Sequence, residues 1–299
     1  MCIAASLPAQ ENSDTTLRVD VKLVNVFVNV TDRNGTIVGG LSKDDFAISE
    51  DGRPQTISLF ERQSQVPLAL TLAIDTSGSV KKDLGAEATA ARHFVHAMLR
   101  PQDQVSLLQF ATNVSVLAPF TNKEKEINRG LGRLHGDFAT ALYDAICAGA
   151  EGLGRQQGRK VLVVISDGDD TAENSTYAQA LQAALRNEVM VYTIIDVPIA
   201  ASAGRDTGGE HALITLAEQT GGKHYYVDAG GLDKAFQQLS DDLRTEYLLG
   251  YYPKNQVPGE VFHRIQVQIP RAAPGEFQIA HRVGYYSDTA AAASDASPR

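Results

Sequence analysis

Cysteine is scarce in this chain of 299 residues, with only Cys2 and Cys147 present. Two cysteines are too few for a disulfide framework, and by themselves they cannot supply a cysteine-based zinc site. Basic residues are also few, 27 against 36 acidic residues, which gives a formal net charge of −9. This balance argues against nucleic acid or an anionic membrane surface as the main partner, because both require basic patches.

Long apolar runs are absent as well. No stretch of the sequence reaches the ~18 apolar residues that a membrane-spanning helix needs, so we expect no membrane span. The first ten residues, MCIAASLPAQ, are small and apolar, and the chain turns polar at Glu11. They resemble the end of a secretory signal that lacks its basic start. We therefore expect residues 1–16 to be a leader or signal remnant, and the protein to be secreted, periplasmic or at the cell surface.

The hydrophobic pattern changes twice along the chain. Alternating apolar residues and turn signals such as Asn34-Gly35 indicate strands before Pro67, and strand-like patterns return after Arg244. Between them, short apolar runs at 68–74 and 161–165 alternate with helical patterns. Such alternation is typical of an α/β fold with a doubly wound, mostly parallel sheet.

Neither of the two flanking β segments has enough strands to be stable alone. We therefore predict that residues 17–65 and 246–286 form one small β-sandwich from the N- and C-terminal segments. The α/β domain, residues 66–245, is then inserted between its two halves. Residues 287–299, rich in alanine, serine and aspartate, are predicted to be a disordered tail.

Polar residues follow two of the predicted buried strands. The first strand ends in IDTSGS (74–79) and the later one in ISDGDD (165–170). Ligands of an open α/β sheet bind beyond the carboxyl ends of its strands, where Asp75 and Asp167 would meet. Carboxylate and hydroxyl oxygens are hard ligands that suit Mg²⁺. The sequence therefore predicts a metal site at this edge.

The spacing Asp75-x-Ser77-x-Ser79 resembles the metal-ion-dependent adhesion site of von Willebrand factor A domains. In that family a threonine from a second loop and an aspartate from a third complete the site. Here Thr140, in the stretch FATALYD (138–144), and Asp167 match those positions. The resemblance covers about residues 67–244. The flanking β segments resemble a bacterial subgroup of these proteins through EDG at 50–52 and GY at 284–285.

The resemblance implies metal coordination rather than catalysis, and hence a protein that is not an enzyme. Ser77 and Ser79 would bind the ion directly, Asp75 mainly through water, Thr140 directly or through water, and Asp167 would lie behind these ligands. The ion would be Mg²⁺, with Mn²⁺ and Ca²⁺ as alternatives. Its open position would take an acidic residue of a protein ligand, as expected of an adhesion module in an exported bacterial protein.

One departure from the family pattern is that Phe138 and Ala139 stand where glycine is common, a change expected to narrow the approach to the metal. Other functions stay open at this point. Asp75 could be the nucleophile of a Mg²⁺-dependent phosphoaspartate hydrolase, although such enzymes carry an acid two residues later, where this chain has Ser77. A structural module of an envelope complex, with an idle metal site, would have the same motif.

For two smaller groups of residues, a purely structural role is an alternative to metal binding. The polar turn that begins at Asp75 could simply cap the following helix, since Ser and Asp are favoured at that position. His93 and His96 lie three residues apart on a predicted helix and could touch one metal ion. The sequence offers no evident third ligand for them, so a solvated or packed helix face is the simpler interpretation.

Overall fold

The computed structural model describes residues 22–62, 65–78, 84–168, 170–172, 174–196, 207–227, 231–254 and 259–287. The predicted leader at 1–16 lies outside these ranges, as do Ser79 and residues 288–299 of the predicted tail. The boundaries proposed for the leader, the two domains and the tail stay predictions.

A six-stranded sheet forms the centre of the molecule, in the order β10-β9-β8-β5-β6-β7. Its strands are β5 (Leu68–Asp75), β6 (Gln104–Phe110), β7 (Val114–Thr121), β8 (Arg159–Ser166), β9 (Val189–Ile195) and β10 (His224–Tyr226). All neighbouring pairs are parallel except β6 and β7. Strands β5 and β9 are buried along their whole length, as expected of strands with helices on both faces.

Helices cover both faces of this sheet. One face carries α1 (Leu84–Met98), α2 (Glu124–Leu131) and α6 (Gly231–Thr245), and the other carries α3 (Leu142–Gly154), α4 (Tyr177–Arg186) and α5 (Thr207–Thr220). The rings of Phe94 on α1 and Phe236 on α6 stack with their centroids 4.5 Å apart. Within the described ranges, no helix combines the length and the apolar character that crossing a bilayer requires.

Two four-stranded sheets combine strands from both ends of the chain, in the orders β13-β1-β11-β4 and β14-β12-β2-β3. Their strands are β1 (Val24–Asp32), β2 (Ala47–Glu50), β3 (Arg53–Gln55), β4 (Ile57–Arg62), β11 (Tyr247–Tyr251), β12 (Phe262–Gln268), β13 (Phe277–Ala280) and β14 (Gly284–Tyr286). Alternate valines of β1 are buried in one core with apolar residues of both sheets. The predicted fold class, a mostly parallel α/β sheet with antiparallel sheets from the flanking segments, is confirmed.

A buried polar network joins the central domain to the β-sandwich. Glu246, between α6 and β11, accepts hydrogen bonds from the Tyr192 hydroxyl at 2.6 Å and from Asn29 Nδ2 at 3.2 Å. Its other oxygen lies 2.6 Å from Arg159 Nη1, which also donates to the Leu243 carbonyl at 2.7 Å. The network therefore ties β1 of the sandwich to β8, β9 and α6 of the central domain.

Candidate metal centre

Asp75 is the most deeply buried acid of the candidate site. It ends β5, and its side chain is 0% exposed. Its Oδ1 accepts a hydrogen bond from the Ser77 backbone N at 2.9 Å, and its Oδ2 accepts one from the Ser166 hydroxyl at 2.7 Å. Burial raises the pKa of the carboxyl to about 6, against the effect of these hydrogen bonds and with a contribution from nearby Asp167. A cation at this position would therefore favour the ionised form of Asp75.

Asp167 is the second carboxylate at this edge, directly after β8. Its Oδ1 is buried and has no hydrogen-bond partner among the described residues. A buried oxygen without a donor costs about 1–3 kcal/mol, so an ion or a water that meets it is stabilising. The next residue, Gly168, has a φ of +106°, and a Cβ there would lie 2.7 Å from the backbone carbon of Gly209. Only glycine fits this turn, and the turn determines the position of Asp167 at the end of β8.

Hydrogen bonds hold the three loops of the site together. Asp137 N donates to the Thr76 carbonyl at 3.0 Å, which links the second loop to the first. Thr171 N and Ala172 N donate to the Thr140 carbonyl at 2.9 and 3.1 Å. Thr140 N donates in return to Thr171 Oγ1 at 2.8 Å, which links the second loop to the third. The three loops therefore form one connected surface beyond the sheet.

Four of the five predicted ligand residues lie in these adjoining loops at the carboxyl edge of the sheet: Asp75, Ser77, Thr140 and Asp167. Ser79 lies outside the described residues. Ser77 and Thr140 are both buried, at 2% and 4% exposure. Their position agrees with the sequence pattern, while their role as metal ligands stays a prediction.

Two residues that support the site do not follow from the motif. Ser166 holds Asp75, and Thr171 holds the backbone of Thr140. Ser166 has a weak signal in the sequence, since it immediately precedes Asp167 at the end of a buried strand. Thr171 has none, because its partner is 31 residues away in the chain.

Two further acids fix the loops that surround the site. Asp170 Oδ1 accepts a hydrogen bond from Tyr143 N at 3.2 Å, in the first turn of α3. Asp144 accepts hydrogen bonds from the Ser175 hydroxyl at 2.5 Å and from Asn174 Nδ2 at 3.0 Å. Both carboxylates are therefore engaged in positioning the third loop against α3.

Phe138 lies in the second loop, two residues before Thr140. Its side chain is 93% exposed, the highest value among the large apolar side chains of the described residues. Its backbone N donates to Asp137 Oδ1 at 2.9 Å, which fixes the loop around it. The phenyl ring therefore offers apolar contact area to any molecule that approaches the edge of the sheet.

The residues at this edge fit a divalent cation. Two carboxylates and two hydroxyls are hard oxygen donors, the set that Mg²⁺ prefers. One buried carboxylate oxygen of Asp167 has no donor within the described ranges, and burial disfavours the charged form of Asp75. Both features are unfavourable in the protein alone and would be relieved by a cation.

Fold and site together define a doubly wound α/β domain with an oxygen-rich site beyond the carboxyl ends of β5 and β8. Residues 70–169 match the family model of the von Willebrand factor type A domain. This part of the chain is therefore similar to von Willebrand factor type A domains, and the matched range includes all five predicted ligand positions. Comparison with curated proteins gave no match.

Among solved structures, the von Willebrand factor type A protein from Catenulispora acidiphila is similar, with 12% identity and a TM-score of 0.52 over 91% of this chain and 76% of that one. The conserved hypothetical protein BatB from Bacteroides thetaiotaomicron has 19% identity and a TM-score of 0.48, over 59% of this chain and 97% of that one. The vWF domain of the type V pili tip protein Mfa5 from Porphyromonas gingivalis has 13% identity and a TM-score of 0.46, over 60% and 95%. The likeness to the Catenulispora protein is one of fold, and it extends beyond the central domain.

Proposed function

We propose that this protein is a divalent-metal-dependent protein-binding or adhesion module of an exported bacterial protein. Asp75, Ser77, Ser79, Thr140 and Asp167 would hold Mg²⁺, with Mn²⁺ or Ca²⁺ as alternatives. The observation that carries the proposal is the pair of carboxylates at one edge of the sheet. Asp75 is fully buried with a raised pKa, and Asp167 has a buried oxygen that no described residue bonds.

The side chains around the site have distinct roles in this proposal. When bound, Mg²⁺ supplies a coordination position that a carboxylate of a partner can occupy. Ser77 would bind the ion directly through an uncharged oxygen, whereas Asp75 would act mainly through water and Asp167 from behind the direct ligands. Few charged atoms of the protein would therefore touch the ion, which leaves it attractive to a carboxylate of the partner. Ser166 and Thr171 keep Asp75 and Thr140 in place through the hydrogen bonds described above.

The partner we propose is a protein that presents an acidic residue. This chain carries a formal net charge of −9, which by itself repels an acidic surface. Recognition of a carboxylate therefore depends on a local positive charge, and the cation would supply it. Phe138, exposed in the loop before Thr140, would contact apolar residues beside the acidic one.

Binding is proposed rather than turnover because of the residue two positions after Asp75. A phosphoaspartate hydrolase needs an acid at that position, and Ser77 stands there with its backbone N bonded to the Asp75 carboxylate. We also propose export, on the basis of the small, apolar residues 1–10 at the start of the predicted leader. Mature protein found only in the cytosol, with Met1 intact, would contradict export.

The test is a pull-down from the native envelope fraction with Mg²⁺ or with a chelator. The wild-type protein should retain a partner only with Mg²⁺, and Asp75→Ala should lose it under both conditions. Phe138→Ala should weaken partner binding while it keeps the response to Mg²⁺. Asp44→Ala, an exposed acid in the β-sandwich, is the matched control and should behave as wild type.

Equal retention in the chelator, or by Asp75→Ala, would contradict the proposed function. The same preparations should be assayed with a generic aryl phosphate. Turnover that depends on Mg²⁺ and on Asp75 would favour the hydrolase instead. Metal binding without any metal-dependent partner would favour the structural module.

A further inference from the structure

We propose that Glu50, Asp51 and His263 form a second metal site, of the zinc type, in the β-sandwich. Glu50 ends β2, Asp51 follows it in the turn, and His263 lies on β12, which pairs with β2. One ligand atom from each of the three lies within 4.8 Å of the others. The site is separate from the loops of the central sheet and does not depend on the function proposed above.

Two of the three distances between the ligand atoms are near those around a single small ion, and the third, between the two carboxylate oxygens, is within 4.8 Å. His263 Nδ1 lies 2.8 Å from Asp51 Oδ2 and 3.9 Å from Glu50 Oε1. Two ligands at about 2.1 Å from a tetrahedral zinc ion are about 3.4 Å apart, a value between the two observed distances. Shifts of about half an ångström would bring the imidazole nitrogen to this distance from each of the two carboxylate oxygens.

The other oxygen of each carboxylate is already held in place. Glu50 Oε2 accepts hydrogen bonds from the Tyr251 hydroxyl at 2.5 Å and the Tyr285 hydroxyl at 3.0 Å. Asp51 Oδ1 accepts one from Arg264 N at 2.9 Å. The remaining oxygens are thereby turned toward the imidazole. Outer partners that orient ligand side chains in this way are typical of metal sites.

Burial closes the cluster on one side and leaves it open on the other. Glu50 and His263 are each 4% exposed, whereas 48% of the Asp51 side chain is exposed. An ion could therefore enter past Asp51, and a water could complete its coordination from the same side. The stack of the His263 ring on Tyr285, with centroids 5.4 Å apart, limits rotation of the imidazole.

The donor set distinguishes this site from the one on the central sheet. One imidazole nitrogen and two carboxylate oxygens suit Zn²⁺, whereas Mg²⁺ and Ca²⁺ prefer oxygen alone.

The histidines on α1 do not form a comparable cluster. His93 Nδ1 contacts Asp233 and His96 Nδ1 contacts Glu124, each at 3.1 Å and on different helices, with all four side chains well exposed.

The test is a titration of the full chain carrying Asp75→Ala, so that the proposed magnesium site cannot contribute. Co²⁺ serves as a visible probe of tetrahedral coordination, and Zn²⁺ is then added in competition. We expect one equivalent of Co²⁺ to bind with a visible absorption band, and Zn²⁺ to displace it and raise the melting temperature. His263→Gln and Asp51→Asn should each weaken binding at least tenfold.

His96→Gln is the matched control, since it removes an exposed histidine that also contacts a carboxylate, and binding should be unchanged. Residue 51 has a φ of +49°, which asparagine tolerates, so Asp51→Asn should fold. If His263→Gln does not fold, metal binding by Asp51→Asn tests the site. The proposal is overturned if no stoichiometric site binds Co²⁺ or Zn²⁺. It is also overturned if binding survives Asp51→Asn or is lost with His96→Gln.

Discussion

At the scale of single residues, Asp75 governs the electrostatics of the candidate site. Its side chain is inaccessible to solvent, and Asp167 lies near enough to oppose its ionisation. Burial raises its pKa from the ordinary 3.8 to about 6, although Ser166 and Ser77 donate hydrogen bonds to it. The folded protein therefore holds this proton more tightly than the unfolded chain does, which has a measurable consequence for stability.

We expect the contribution of Asp75 to the free energy of unfolding, measured in a chelator, to fall as pH rises from about 4 to about 6. In this range the unfolded chain has lost the Asp75 proton and the folded protein still binds it, so this contribution falls with pH. A shift of about two pKa units corresponds to at most about 3 kcal/mol. Above about pH 6 Asp75 is ionised in both states, so its effect on the free energy of unfolding should no longer change with pH.

Urea unfolding of the wild type and of Asp75→Ala, at several values between pH 4 and pH 7, isolates this contribution. The difference in unfolding free energy, wild type minus variant, should decrease with pH and then level off. A difference that does not change with pH would mean that Asp75 ionises normally in the folded protein.

The sequence predicts the position of the site residues better than their surroundings. Asp75 and Asp167 follow apolar runs, and the carboxyl ends of parallel strands necessarily meet at one edge. The partners Ser166 and Thr171 act across loops that are distant in the chain, and only the tertiary structure brings them to Asp75 and Thr140. No sequence periodicity encodes such contacts.

At the scale of secondary structure, the contact between Arg159 on β8 and Glu246 after α6 joins the two parts of the molecule. Both side chains are buried, at 7% and 1% exposure, with 2.6 Å between Nη1 and Oε2. The guanidinium carbon also lies 5.7 Å from the centre of the Phe27 ring on β1. Removal of one charge from this pair leaves the other buried without a countercharge.

Glu246→Gln should therefore destabilise the protein by about 3–5 kcal/mol, because Arg159 stays buried without a countercharge. The double variant Arg159→Met/Glu246→Gln should be less destabilised than the sum of the two single variants. The Tyr192 and Asn29 groups can still bond to the amide in that background. Guanidinium unfolding of the four proteins measures the coupling, and strictly additive effects would contradict it.

Helices and strands differ in how clearly the sequence pattern predicts them. Strand β5 is evident because its eight residues are all buried and almost all apolar. Helix α2 is not, since it has eight residues and buries only Ile127, Gly130 and Leu131. Strand β3 has three residues and includes Pro54, so no alternation can develop. Short elements are specified by their packing rather than by a repeating pattern.

At the scale of the whole molecule, the central sheet has its own cores. The buried apolar residues of the two clusters on its faces all lie within residues 66–245, and the partly buried Phe27 of β1 packs against one of these clusters. The third cluster consists of residues from both flanking segments. This division supports the proposed insertion of one domain into the other.

We expect a fragment of residues 66–245 to fold alone, because it keeps both cores of the central sheet. It lacks Glu246, so it should be less stable than the full chain, although the freed Arg159 can then reach solvent. Circular dichroism and calorimetry measure the cooperativity of unfolding. A molten fragment beside a cooperative full chain would contradict the independence of the central domain.

The central claim is that Asp75 helps to hold a divalent cation at the edge of the central sheet. Thermal unfolding of wild type and Asp75→Ala, each with Mg²⁺ and with a chelator, tests it most directly. Binding to the folded state alone stabilises it by about 2.7 kcal/mol at a hundred times Kd. Mg²⁺ should therefore raise the melting temperature of the wild type and leave Asp75→Ala unchanged. An equal rise in both proteins would mean that the ion binds elsewhere and would contradict the claim.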